Sequence, residues 1–212
     1  MTEAHSFLSH ELPLGNRRCK DTSGMVNGMK IYTRNGDDGT TGLFYGGRVR
    51  KDSDHPSAYG DVDEAQAAIG HVRSQVERGS EIDSILVHVL RDLWVLMAEL
   101  ATLPENRDKL EDGVSLVTNT MVEDLEKYID KTSEKFSAPT EFVIPGQNQT
   151  AAALDIARTV VRRAERSTLK IQIDDSFVGP YLNRLSDLMW MLARWQDQGS
   201  LSAREIEINK EV

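Results

Sequence analysis

The sequence predicts an all-α protein: a five-helix up-and-down bundle that follows an irregular glycine-rich loop. Three observations lead to this fold class. Apolar residues recur at three- and four-residue steps in five stretches after residue 56, which is the period of helices buried on one face. Glycine or proline residues separate several of these stretches. Strand-like alternation is confined to a short segment at 141–144.

The helices are taken in chain order. The first pattern ends at Gly79 and consists of Val62, Ala65, Ile69, Val72 and Val76. The second stops before Pro104 and consists of Ile82, Ile85, Leu86, Val89, Leu93, Leu96 and Leu100. The third extends to about Lys135 and consists of Val117, Met121, Leu125 and Tyr128. The fourth runs from about Thr150 to Ile171. The fifth consists of Val178, Tyr181, Leu182, Leu185, Leu188, Met189 and Leu192.

The predicted organisation has three parts. Residues 1–28 are polar and aperiodic and are expected to form an N-terminal extension. Residues 29–200 form the helical-bundle domain, and residues 201–212 form a C-terminal tail. The extension has no apolar stretch like that of a signal peptide, and the chain has no apolar run long enough to span a membrane.

Composition narrows the classes of partner and the compartment. The formal net charge is −9, which argues against a general binder of nucleic acid or of anionic membranes. Cys19 is the single cysteine, so an intramolecular disulfide is excluded and a reducing compartment is expected. These observations predict a cytoplasmic protein.

The loop YTRNGDDGTTGLFYGG, residues 32–47, places Gly36, Gly39 and Gly42 at three-residue steps among threonines. Glycines let backbone N–H groups turn toward an anion, and a lysine shortly downstream adds positive charge. The segment is not a P-loop, because Arg48 and Val49 follow where lysine and serine or threonine should stand. By composition alone, both a flexible loop and an anion-binding loop remain open.

An arginine stripe lies on the fourth helix, where Arg158, Arg162 and Arg166 follow one another at four-residue steps, with Glu165 beside them. A solvated helix face usually mixes charge signs at this spacing, whereas this one repeats a single sign. Arginines packed at an interface would need carboxylate or phosphate partners. The pattern therefore leaves two interpretations open, a solvated face and an anion site.

Acidic residues cluster in AYGDVDEAQAAIG, where Asp61, Asp63 and Glu64 are expected in the first turn of the first helix. A favourable interaction with the helix dipole explains Asp61 and Glu64 at that position. On the fifth helix, Asn183 shares a face with Asp187 and Trp190. The histidines have no ligand spacing and no Glu-x-x-His motif occurs, so no metal site is predicted in the protein itself.

Four segments now carry a resemblance: KIYTRNGDDGTTGLFYGGRVRKD, AYGDVDEAQAAIG, FVIPGQNQTAAALDIARTVVRRAER and YLNRLSDLMWMLAR. In this order they resemble the PduO-type ATP:cob(I)alamin adenosyltransferases (corrinoid adenosyltransferases) over about residues 30–195. The resemblance implies a five-helix bundle that assembles as a homotrimer, with active sites at the subunit interfaces. It also implies transfer of the 5′-deoxyadenosyl group of ATP to cob(I)alamin, giving adenosylcobalamin and triphosphate with Mg²⁺ present.

The family's functional residues fall on matching positions of this chain. From the N-terminal loop the resemblance implies an ATP site of Thr33, Arg34, Asn35, Gly36, Thr41, Gly42 and Lys51. The helices add Arg162, Arg163, Glu165, Arg166 and Asn183. Asp63 and Arg158 match a family pair that forms a salt bridge between subunits, and Phe142 matches an aromatic residue below the corrin ring. The implied catalytic set is Arg162, Asp63, Arg158 and Lys51.

The chain departs from the family pattern in three places, one of which is Ala65-Gln66 in place of a common Leu-Asn pair. Asp38 stands where the family often has lysine, and Gln147 stands where it often has a second glycine. Two other classes of function remain. One is an ATP- and cobalamin-binding delivery or regulatory protein for an adenosylcobalamin-dependent enzyme, with such an enzyme or a reductase as its partner. The other is a structural bundle whose arginines serve only trimer assembly.

Overall fold

The structure is a computed structural model that describes residues 32–171, 174–197 and 199–204. The described residues are mostly helical, which confirms the prediction that the protein is mainly α-helical. The α-helices are α1 (Asp54–Arg73), α2 (Glu81–Leu100), α3 (Asn119–Ser133), α4 (Gln149–Thr168) and α5 (Val178–Asp197). A 3-10 helix at Pro104–Lys109 brings the described helices to six. α2 already ends at Leu100, and Pro104 begins this separate short helix.

Capping side chains set two of the helix starts. Ser80 accepts a hydrogen bond from the backbone N–H of Asp83 at 3.2 Å at the start of α2. Asn148 does the same for Ala151 at 2.9 Å at the start of α4. Each cap satisfies a backbone donor that has no partner inside its helix.

The helices pack in the order α2–α1–α4–α5–α3. α4 lies at the centre, with α1 on one side and α5 on the other. The shared core contains the fully buried side chains of Val62, Ile69, Leu86, Leu93, Leu154, Val161, Leu185 and Leu192. Because α4 is buried on two sides, its outward face is narrow, and the arginines lie there.

Two short antiparallel sheets accompany the helices. β1 (Thr40–Gly42) pairs with β2 (Arg48–Arg50), so this part of the predicted irregular loop is a β-hairpin. Its turn contains the left-handed backbone of residues 45–47, which explains the two glycines there. Phe44 N donates to Ala101 O at 2.9 Å, which docks the hairpin on the end of α2.

The second sheet joins β3 (Val143–Ile144) to β4 (Leu201–Ser202). β3 confirms a strand within the segment predicted at 141–144, in shorter form. β4 lies in the stretch predicted as a tail. The remainder of that tail, residues 205–212, lies outside the described residues, as do the predicted extension 1–28 and Cys19.

The chain divides into two compact units, Met1–Arg34 and Asn35–Val212. In the first unit the described residues are 32–34, where the Arg34 guanidinium lies 5.8 Å from the centre of the Tyr32 ring. The helices and both sheets belong to the second unit. Among the described helices, none combines the length and the apolar character needed to cross a membrane.

Candidate functional site

The hairpin loop folds tightly around Lys51. A methyl group on Gly36 would lie 3.0 Å from Lys51 Nζ and 3.2 Å from the backbone oxygen of Thr40, so a larger residue here would press on the end of the Lys51 side chain. Lys51 N also donates to Gly39 O at 3.0 Å. The structure thus brings together two predicted site residues, Gly36 and Lys51, and β1 supplies Thr41 and Gly42 on the same hairpin.

Asp38 directs its carboxylate into the loop. Its Oδ1 accepts hydrogen bonds from Thr40 N at 2.9 Å and from Thr40 Oγ1 at 2.8 Å. Arg48 Nη2 lies 3.6 Å from the same oxygen. The hydrogen bonds from Thr40 hold the pKa of Asp38 below its usual value. The negative charge that replaces the family's lysine is therefore stabilised by partners within the hairpin.

On α4, neighbouring arginines take different partners. Arg163 forms an ion pair with Glu64 of α1 and lies 3.9 Å from Asp61. Arg162 is exposed, and its guanidinium has no hydrogen bond or ion pair with the part of the chain that the structure describes. Arg166 Nη1 donates to the backbone oxygen of Arg162 at 2.9 Å. Arg162 therefore keeps its terminal nitrogens available on the exposed face.

A hydrogen bond between Glu165 and Asn183 connects α4 to α5. Asn183 Nδ2 donates to Glu165 Oε1 at 3.1 Å, and Arg184 Nη1 donates to Asn183 Oδ1 at 2.8 Å. The amide of Asn183 is thereby fixed in orientation. The sequence placed these residues together only through the family resemblance, whereas the structure shows their direct contact.

The acidic cluster does not lie in the first turn of its helix, so that expectation is wrong. α1 begins at Asp54, with Ser53 at its N-cap, and Pro56 is accommodated in the first turn, where proline is tolerated. Asp61 and Glu64 therefore lie beyond the range of the helix-end dipole and contact Arg163 instead. Asp63 is exposed and has no side-chain partner within residues 32–171, 174–197 and 199–204.

An open cavity of about 730 Å³ lies between the 139–145 loop and the facing sides of α4 and α5. Its lining includes Phe142, Arg158, Trp190 and Arg194. Phe142 is 90% exposed, so it contributes little to the core of this chain. The lining also contains the carboxylates of Glu141 and Asp155 and the guanidinium of Arg204, so aromatic rings and charged groups of both signs surround the cavity.

A buried ion-pair network includes Arg158 and Arg194 of the cavity lining. Arg194 is 1% exposed at its side chain, and its Nη2 donates to Asp155 Oδ2 at 2.6 Å. Arg194 Nε also lies 3.1 Å from Asp197 Oδ2. Arg158 Nε donates to the other oxygen of Asp155, Oδ1, at 3.3 Å. The sequence analysis did not predict this network. The sequence could have indicated it, because charged residues occupy positions on the buried faces of the helices.

These features define a class: a helical-bundle protein with an exposed arginine face on its central helix and a cavity lined by aromatic and charged side chains. The family model described as cobalamin adenosyltransferase matches residues 31–196. The chain belongs to the cobalamin adenosyltransferase family.

Curated relatives and solved structures agree with this family. The chain is 39% identical over 175 residues to the corrinoid adenosyltransferase of Mycobacterium tuberculosis, covering 80% of this chain and 89% of that protein. It is 37% identical over 168 residues to the cobalamin adenosyltransferase of Cupriavidus metallidurans, covering 78% and 86%. A variant of the PduO-type ATP:corrinoid adenosyltransferase from Lactobacillus reuteri, complexed with cobalamin and ATP, superposes with a TM-score of 0.75. That structure is 29% identical and covers 82% of this chain and 99% of its own.

Proposed function

We propose that this protein is an ATP:cob(I)alamin adenosyltransferase, which transfers the 5′-deoxyadenosyl group of ATP to cob(I)alamin and releases triphosphate. Membership of the cobalamin adenosyltransferase family supports the activity. The observation that carries the assignment to this chain is the exposed guanidinium of Arg162 on α4, available for an anion within the motif that the family uses.

In the proposed reaction, cobalt(I) is the nucleophile and attacks C5′ of ATP. A Co–C5′ bond forms, the C5′–O bond breaks, and the electron pair of that bond leaves on triphosphate. The protein therefore supplies orientation and stabilisation of the leaving group. Arg162 and Lys51 are the cations proposed for this role, and Mg²⁺ enters bound to the phosphate oxygens of ATP.

The proposed ATP site takes its two halves from neighbouring subunits of a homotrimer. One half is the hairpin loop around Lys51, together with Thr33, Arg34 and Asn35. The other half is the α4–α5 face, with Arg162, Arg163, Glu165, Arg166 and Asn183. A shared site is supported by the exposed side chains of Lys51 in the first half and of Arg162 in the second, which are the two cations proposed to meet the triphosphate.

Asp63 and Arg158 are the proposed salt bridge between subunits. Asp63 offers an exposed carboxylate on α1 that has no partner in the described part of its own chain. Arg158 uses Nε for Asp155, and its terminal nitrogens are left for a second carboxylate. A carboxylate can accept two parallel hydrogen bonds from the terminal nitrogens of a guanidinium group, so Asp63 is a suitable partner for Arg158.

The corrin ring is proposed to lie at the cavity, with Phe142 against its lower face. Exposing a phenyl ring to water is unfavourable in free energy. Covering the Phe142 ring with a large ligand would remove this unfavourable contribution. Excluding water and the lower axial base from cobalt would favour reduction to cob(I)alamin. The product would serve an adenosylcobalamin-dependent enzyme in the cytoplasm, with a reductase supplying cob(I)alamin.

The test is an anaerobic reaction of the protein with MgATP and chemically reduced cobalamin. We expect the cob(I)alamin absorbance to convert to that of adenosylcobalamin, with one triphosphate released for each corrinoid converted. Tight binding of ATP and cobalamin without turnover would instead identify a delivery or regulatory protein. A protein that binds neither would be a structural bundle.

A further inference from the structure

Asp155 lies between two arginines from different helices. Its Oδ2 accepts from Arg194 Nη2 of α5 at 2.6 Å, and its Oδ1 accepts from Arg158 Nε at 3.3 Å. The Asp155 side chain is 11% exposed, whereas that of Arg158 is 31% exposed and reaches the cavity wall. One carboxylate thus joins a fixed, buried guanidinium to a partly exposed one.

We propose that Asp155 is a positioning residue that aims the terminal nitrogens of Arg158 out of the cavity wall. Rotation about the long arginine side chain would otherwise spread its guanidinium over many orientations. Holding Nε–H leaves the two terminal amino groups free and gives them one direction. This inference rests on the proposed function, in which those amino groups meet the partner subunit's carboxylate beside the substrates.

The contacts of Asp155 and Asp197 allow a positioning role of Asp155 to be distinguished from a role in stability alone. Arg194 has a second carboxylate, since its Nε lies 3.1 Å from Asp197 Oδ2. In the described part of the chain, Asp155 is the carboxylate that touches both Arg194 and Arg158. Asp197 contacts Arg194 and is also buried, but it makes no described contact with Arg158. The chain therefore contains a matched control for loss of a buried carboxylate beside Arg194.

The kinetic test compares Asp155→Asn with Asp197→Asn. Both should lower the melting temperature, because each removes a buried negative charge from Arg194. Asp155→Asn alone should also lower kcat/KM, by about tenfold to a hundredfold, the range expected when a functional group is displaced by about 1 Å. Equal activity losses in the two variants would overturn the proposal.

A double variant checks that Asp155 acts through Arg158. In an Arg158→Ala background, adding Asp155→Asn should cause no further loss of kcat/KM, because the group that it positions is already absent. An undiminished second loss would show that Asp155 acts through another route, and the proposal would fail.

A measurement without substrate keeps the inference separate from the proposed function. Arginine Nε–H signals can be followed by ¹H–¹⁵N spectroscopy, with Arg158 assigned from its absence in Arg158→Ala. The Arg158 signal should exchange with water more slowly than that of exposed Arg162 in the wild-type protein. Asp155→Asn should remove this protection, and Asp197→Asn should keep it.

Equally fast exchange of Arg158 and Arg162 in the wild type would overturn the proposal, even if the enzyme is active. Protected exchange in a protein without turnover would uphold the positioning contact and reject the adenosyltransferase reaction.

Discussion

Arg163 of α4 forms an ion pair with Glu64 of α1, which engages its guanidinium within the bundle. The two adjacent arginines therefore differ in what they can offer a substrate. Arg163 is engaged within the bundle, whereas Arg162 is exposed without a partner among the described residues. This difference makes Arg162 the sharper test of the proposed triphosphate site.

We expect Arg162→Ala to lower kcat by about 10²–10³, the usual cost of losing a group that stabilises charge developing in the transition state. Lysine at this position should restore little, because a point charge does not replace a planar fork of donors. Steady-state kinetics with MgATP and cob(I)alamin measure this. Lys170→Ala is the control, since it removes one exposed cation just beyond α4. Turnover of Arg162→Ala close to that of Lys170→Ala would remove Arg162 from the site.

If the protein forms the proposed trimer, Asp63→Ala and Arg158→Ala should each weaken its assembly, by about 3–5 kcal/mol for a pair buried at the interface. Sedimentation measures assembly, and a double-mutant cycle measures the coupling between the two residues. Asp112→Ala is a suitable control, because Asp112 is also exposed but lies outside the helices. Strictly additive effects would show that Asp63 and Arg158 are not partners.

Phe142→Ala should separate stability from activity. The side chain is 90% exposed, so its removal should change the free energy of unfolding by no more than about 0.5 kcal/mol. Loss of the ring from the cavity should nevertheless slow the conversion of cobalamin, which absorbance follows directly. Val114→Ala removes another exposed apolar side chain that is not part of the cavity lining, and should leave the rate unchanged. Unchanged conversion by Phe142→Ala would contradict its proposed place below the corrin.

A buried carboxyl group predicts the direction of one pH effect. Burial raises the pKa of Asp92, although nearby His88 and the hydrogen bond from Tyr181 at 3.0 Å partly oppose the rise. The folded state therefore favours the protonated form. This contribution to stability is complete below the unfolded-state pKa of about 3.9 and is lost as the pH rises through the folded-state pKa.

Asp92→Asn removes this loss, so the variant should gain stability relative to the wild type as the pH rises from about 4 to about 8. Urea unfolding across this range measures the difference. Asp108→Asn, at an exposed position, should show no comparable trend. A relative loss of stability for Asp92→Asn with rising pH would reverse the assigned direction.

Glu99 is fully buried and holds together three segments near the end of α2. Its carboxylate accepts from Arg107 at 3.0 Å, from Val117 N at 2.8 Å and from Ser176 Oγ at 2.7 Å. Glu99→Ala should lower the free energy of unfolding by about 3–5 kcal/mol, because Arg107 loses its described carboxylate partner. Chemical denaturation tests this, with exposed Glu105→Ala expected to change stability by about 0.5 kcal/mol or less.

Periodicity predicted the helices well where an apolar face and a cap coincided. α2 is the clearest case, since its apolar pattern began at Ile82 and the capped helix begins at Glu81. The start of α1 was missed because Asp54, His55 and Pro56 have no apolar period, and proline is typical of a break. The hairpin was missed because three-residue strands are too short for alternation to be recognised.

The sequence predicted those features of the candidate site that depend on residue spacing within one helix. Spacing along one helix placed Arg158, Arg162 and Arg166 on a common face. The contact of Asp155 with Arg194 spans 39 residues and depends on how α4 and α5 pack, which periodicity does not specify. The different partners of Arg162 and Arg163 depend in the same way on the packing of α1.

The helix order also has a consequence during synthesis of the chain. α1 packs against both α2 and α4, but about 75 residues separate the end of α1 from the start of α4. When α1 and α2 leave the ribosome, the apolar side of α1 that α4 will cover is still exposed to water. Completion of the core must wait for the arginine-bearing helix, so a nascent chain cut before Gln149 should be a target for chaperones and proteases.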